Sequence, residues 1–126
     1  MQAARMSETD AHLKKFEKEL AAGTVSLVLL AVMAAAREPL YGYQIAKRLE
    51  REAGGVLVGK QSALYPVLRN LSAAELLDTF IEPSEAGPPR RYYRITPLGR
   101  KVLREWTGAW TSTRSFVDSI IEGPKP

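Results

Sequence analysis

Three features of the 126-residue sequence predict a mainly α-helical fold with one small β-hairpin, a winged helix-turn-helix with an added helix at each end. The segment GKQSALYPVLRNL, residues 59–71, reads as a helix with an apolar seam on one side and Gln61, Ser62, Tyr65 and Arg69 on the other. Soon after comes GPPRRYYRIT, residues 87–96, basic, aromatic and alternating as a returning strand does. Long segments of helical period flank this pair on both sides, and a helix joined to a cationic hairpin is what a winged domain needs to grip DNA.

Composition narrows the possibilities. The chain has room for one domain and none for a second catalytic one. Its 45% hydrophobic and 25% charged residues suit a packed globular core. The formal charge of +4 favours an anionic partner. Its distribution is more informative, because residues 86–104 hold Arg90, Arg91, Arg94, Arg100, Lys101 and Arg104 with no acidic residue. The absence of cysteine excludes disulfides and thiolate metal sites and fits a reducing, cytoplasmic location. Residues 25–36 form an apolar run broken only by Ser26, shorter than the roughly 20 residues of a membrane span. The polar N-terminus predicts no secretory signal.

Taken in order, Ser7 and Asp10 form a capping-box pattern that opens an amphipathic helix carrying Leu13, Phe16 and Leu20. Gly23 and Thr24 are expected to break it, with Thr24 capping a second, apolar helix over residues 25–36. Three parts follow from this: an N-terminal helix (1–22), a winged DNA-binding unit (23–96) and a C-terminal helix with its tail (97–126). After Arg37, Glu38 and Pro39, a helix led by Tyr41, Gly42 and Tyr43 would bury Ile45, Ala46, Leu49 and Ala53 and stop at Gly54 and Gly55. Ser62 is placed to cap the next helix, whose inward seam is Leu64, Val67, Leu68 and Leu71, with Pro66 tolerated in its first turn.

Residues 77–81 and 91–95 have strand character, and residues 82–89, with three prolines, read as the loop between them. Tyr93 and Ile95 fall on the core side of the returning strand, opposite Tyr92 and Arg94. Thr96 and Pro97 are an N-cap and first helical residue for a helix running to about Ile121. That helix carries more apolar surface, from Leu98 through Trp106 and Trp110 to Ile120 and Ile121, than its own chain can cover. A homodimer through the C-terminal helix, aided by the N-terminal helix, covers it and supplies the two-fold symmetry of a palindromic site.

Three ordered motifs carry a family resemblance: PLYGYQIAKRLE (39–50), SALYPVLRNL (62–71) and GPPRRYYRITPLGRKVL (87–103). Over about residues 20–110 the chain resembles the PadR family of bacterial transcriptional regulators, small winged helix-turn-helix homodimers. The resemblance implies transcription regulation, as a repressor that releases operator DNA when an aromatic or lipophilic small molecule binds. It implies that Tyr43, Lys60, Gln61, Ser62, Tyr65 and Arg69 face the major groove or its flanking phosphates, and that Arg90, Arg91 and Tyr92 lie at the wing. The short C-terminal helix is similar to that of the family's smaller subfamily, and Trp110 falls where multidrug-sensing members have a tryptophan. Glu75 departs from the pattern, because the family usually has a glycine where the reading helix ends.

Other features have plainer readings. Trp106 and Trp110 share a helix face that could stack a planar aromatic ligand or simply pack a dimer. Gly54, Gly59 and Lys60 imitate a phosphate loop, but Gln61 stands where the magnesium-binding hydroxyl belongs. His12 has no partner for a metal site, and Ser62 lacks the setting of a nucleophile. No cofactor is expected and the chain reads as no enzyme. A protein-interaction module on the same fold, without specific DNA binding, is the rival function.

Overall fold

The computed structural model describes residues 7–53 and 63–124, and its first element, α1 (Glu8–Ala35), starts at the expected capping box. The Ser7 hydroxyl accepts the Asp10 N–H at 3.1 Å, and the Asp10 carboxylate accepts the Ser7 N–H at 3.2 Å. The helix then runs unbroken for 28 residues, which corrects the expected break at Gly23 and Thr24. The Thr24 hydroxyl caps nothing; it donates back to the Leu20 carbonyl at 2.9 Å within the helix. One helical glycine costs about 1 kcal/mol, and the packing of Leu29, Leu30 and Met33 at the centre of the core outweighs it.

Unbroken, α1 is long and apolar enough to cross a membrane by length and composition, with a mean hydropathy of 1.6 over 18 residues. Its C-terminal half nevertheless lies against α2, α3, α4 and the sheet. Its N-terminal half leaves Leu13, Phe16 and Leu20 exposed.

Beyond Pro39 the chain makes a two-residue strand, β1 (Leu40–Tyr41), then α2 (Gly42–Ala53) and α3 (Leu64–Ala73). Ile45, Ala46, Leu49, Leu64, Leu68 and Leu71 are buried as their spacing predicts, with Val67 packed against them. The glycines at 54, 55 and 59, and Lys60, Gln61 and Ser62, lie outside the described residues. At the start of α3 the cap position is Ala63, which makes no side-chain capping bond.

The wing is β2 (Leu77–Ser84) and β3 (Gly87–Ile95), antiparallel, with β1 on the far side of β3. The strands extend well beyond the expected 77–81 and 91–95, so most of the predicted loop is sheet and the turn is only Glu85 and Ala86. The prolines fit because of where they fall. Pro83 sits at the register shift between Glu82 and Ser84, and Pro88 and Pro89 lie past the reach of β1, which pairs only with Tyr92 and Tyr93. The Ser84 hydroxyl closes the tip by donating to the Pro88 carbonyl at 2.8 Å.

Two junctions fix the wing to the helices. At the end of α3, Glu75 takes a left-handed backbone (φ 64°). The Leu76 N–H then reaches the Leu71 carbonyl and the Glu75 N–H the Ser72 carbonyl, each at 3.0 Å. This is the paired-bond helix stop that glycine usually makes, retained here with glutamate at a cost of about 1 kcal/mol.

At the end of β3, Thr96 caps α4 (Pro97–Glu122), as expected, by accepting the Gly99 N–H at 2.9 Å. The same hydroxyl donates to the carbonyls of Glu75 at 2.8 Å and Leu76 at 3.2 Å, and the Thr96 N–H reaches Leu76 at 3.1 Å. One buried side chain therefore ties the end of α3, the wing and α4 together.

Candidate nucleic-acid interface

The buried seam of α3 turns Tyr65 and Arg69 outward on the opposite side. Tyr65 is held as well as exposed. Its ring lies over Gly42 at the start of α2, where a Cβ would come within 2.7 Å of it. A side chain at position 42 would displace the tyrosine ring from this place.

Strand parity separates the two wing arginines that the sequence presents as a pair. Arg91 falls on the side of Tyr93, the buried residue that faces the helices, and its Nη1 donates to Thr79 Oγ1 at 3.2 Å. Burial raises the pKa of the Tyr93 phenol; the cations Arg91 and Arg69 oppose that shift and Tyr65 adds to it. Tyr65, Arg69 and Arg91 thus all act on one buried phenol.

Arg90 falls on the other side of the sheet, its guanidinium 4.5 Å from the Tyr41 ring centroid. Tyr92 is half-buried there, stacked on Phe80 at 5.7 Å and edge-on to Tyr41 at 5.4 Å. Tyr43 is exposed and stacks on Tyr41 at 6.5 Å, with Lys47 Nζ 5.5 Å from its ring. The remaining cations of residues 86–104 are dispersed. Arg94 pairs with Asp78 at 3.7 Å, and Arg100 reaches the Ala34 carbonyl at the end of α1.

Tyr41 and Lys47 are the members of this surface that motif reasoning missed. The aromatic spacing of Tyr41 and Tyr43 was visible in the sequence, but the ring contact depends on β1, which is too short to show a period.

A second feature lies on the far side of the core. Between α1 and α4 is a groove of about 550 Å³ whose walls include Leu20, Thr24, Leu27, Trp106 and Trp110. Trp106 also packs against the core of its own chain, whereas Trp110 is exposed. Past the groove, α4 exposes Phe116, Val117, Ile120 and Ile121. Among the described residues no cluster of His, Cys, Asp or Glu could hold a metal ion, and His12 is exposed.

Residues 29–105 match the transcriptional regulator PadR-like family, which spans the core, the reading helix, the wing and the first turns of α4. A PadR family transcriptional regulator from Eggerthella lenta is 31% identical and superposes with a TM-score of 0.79 over 92% of this chain and 97% of its own. A PadR-like transcriptional regulator from Bacillus cereus, 24% identical with a TM-score of 0.67 over 84% of this chain and 99% of its own, shares the fold. An uncharacterized protein from Lysinibacillus sphaericus is 30% identical over 83 residues, 66% of this chain and 76% of its own. With the family matched over more than half of the chain, the chain belongs to the PadR-like transcriptional regulators, DNA-binding proteins of winged-helix fold.

Proposed function

We propose that this regulator is a cytoplasmic repressor that binds operator DNA as a homodimer, with α3 in the major groove and the wing on the adjacent backbone. The observation that carries the reading is that α3 turns Tyr65 and Arg69 away from its buried seam while strand parity sends Arg91 of β3 to the sheet side that faces the helices. A reading helix flanked by a wing cation lets base contacts and phosphate contacts form together. By the family resemblance, Tyr43, Lys60, Gln61 and Ser62 are further DNA contacts, the last three outside the described residues, and Arg90 and Tyr92 contribute from the other side of the wing. Two copies related by a two-fold axis would present their helices about one turn of DNA apart, roughly 34 Å.

The test compares Arg69→Ala and Arg91→Ala with the wild type on selected operator and scrambled duplexes at two salt concentrations. Arg69→Ala is expected to lose about 1 to 3 kcal/mol on the operator alone. Arg91→Ala should weaken both duplexes alike and flatten the salt dependence by about one phosphate contact. Wild-type affinity for both variants on both duplexes would remove these roles.

The apolar surface at the end of α4, with that of the outer half of α1, is where we place the dimer contact. The groove beside Trp110 is where we place a planar aromatic effector whose binding releases DNA. Tryptophan fluorescence should change on titration with a planar aromatic dye and stay flat in Trp110→Ala. Equal dye affinity in that variant, or a monomer by sedimentation, would overturn the corresponding part.

A further inference from the structure

The cations of the wing act from two sides of the sheet, and only one of those sides belongs to the reading helix. The other carries an unbroken series of rings, Tyr43 on Tyr41, Tyr41 against Tyr92 and Tyr92 on Phe80. Tyr41 is the joint of this series. Its backbone pairs with Tyr92 across β1 and β3, its N–H donates to Gln44 Oε1 at 3.1 Å, and its ring meets Tyr43, Tyr92 and Arg90.

Arg90 has a long, rotatable side chain on an exposed strand close to the hairpin tip, so holding it in one direction costs entropy unless something restrains it. The face of Tyr41, 4.5 Å away, supplies that restraint through the ring quadrupole, and among the described residues Glu82, opposite Arg90 in the ladder, forms no ion pair with it within 4.0 Å. Lys47 is disposed in the same way on the neighbouring Tyr43 ring, and it forms an exposed pair with Glu50 at 3.8 Å, which is worth little.

We propose that Tyr41 is a positioning residue that aims Arg90, beside Lys47, at the DNA backbone, forming a second phosphate-binding edge on the opposite side of the wing from Arg91. The proposal rests on the DNA-binding reading above and adds to it a second contact edge and a residue, Tyr41, that acts through another. Such an edge raises affinity for any duplex and leaves sequence preference unchanged.

The experiment uses the full chain and a random-sequence duplex, with affinity measured by fluorescence anisotropy from about 50 to 200 mM salt. Arg90→Gln is expected to make the slope of log affinity against log salt shallower by about 0.9, the value of one phosphate contact. Tyr41→Leu, which keeps an apolar side chain in β1, should give the same shallower slope, and combining the two should add nothing further. Tyr41→Phe, which keeps the ring face, should restore the wild-type slope, a result that a purely structural role for the tyrosine would not require.

A wild-type slope in Arg90→Gln, or full additivity in the double variant, overturns the proposal. If Arg91→Ala still flattens the slope in that case, the DNA-binding reading stands without the second edge. If the wild-type protein ignores the duplex at low salt, the reading itself falls.

Discussion

Gly99→Ala is expected to unfold this domain at a temperature about 10 °C or more below the wild type, a loss of roughly 3 kcal/mol. Gly99 is buried in the first turn of α4, where the helix backbone rests directly on the chain beneath. A Cβ there would overlap the Leu76 carbonyl oxygen and come within 2.7 Å of Ile95 Cγ1. The Leu76 carbonyl cannot withdraw, because it also accepts both the N–H and the hydroxyl of Thr96. The added methyl group must therefore lift α4 away from the wing, and overpacking against backbone has no cheap rotamer escape. A thermal melt followed by circular dichroism reads the effect. A midpoint equal to the wild type would mean that α4 can shift without disturbing the wing.

Thr96→Val should cost about 2 to 3 kcal/mol, read as a lower denaturant midpoint at unchanged slope. Valine keeps the shape and loses the hydroxyl, so the Gly99 N–H loses its cap, worth about 1 to 2 kcal/mol. The Glu75 carbonyl also loses its donor, adding about 1 kcal/mol. Thr96→Ser keeps the hydroxyl and should recover most of the loss. If valine and serine behave alike, the hydroxyl contributes only locally and the three-way tie is not an energetic one.

Much of this architecture was legible in the residues. The capping box at Ser7, the Thr96–Pro97 start of α4 and the inward seams of α2 and α3 depend on side chains within a few positions of one another, and local chemistry decided them. The errors came where distant packing overruled a local signal. Gly23 looks like a stop only until Leu29, Leu30 and Met33 are seen anchoring the helix that contains it. The prolines at 83, 88 and 89 look like a loop only until the ladder is seen to pass where none needs a donor.

The candidate site was legible in residue type and less so in direction. Arg90 and Arg91 are adjacent in sequence, yet a strand sends neighbours to opposite sides, so the period-two rule that separated Tyr92 from Tyr93 already separated the arginines. The contribution of Tyr41 was not legible, because its ring contacts depend on the pairing of β1 with a strand some fifty residues away.

The continuity of α1 also limits how the protein can be altered. A helix of 28 residues advances about 1.5 Å and turns about 100° with each one. Inserting or deleting a single residue near Gly23 would swing Leu13 and Phe16 a quarter-turn or more away from their present bearing relative to Leu29. The leading segment is thus geared to the interior and cannot be exchanged as a separate block; only replacements that keep its length and angular phase preserve the relation between the two ends.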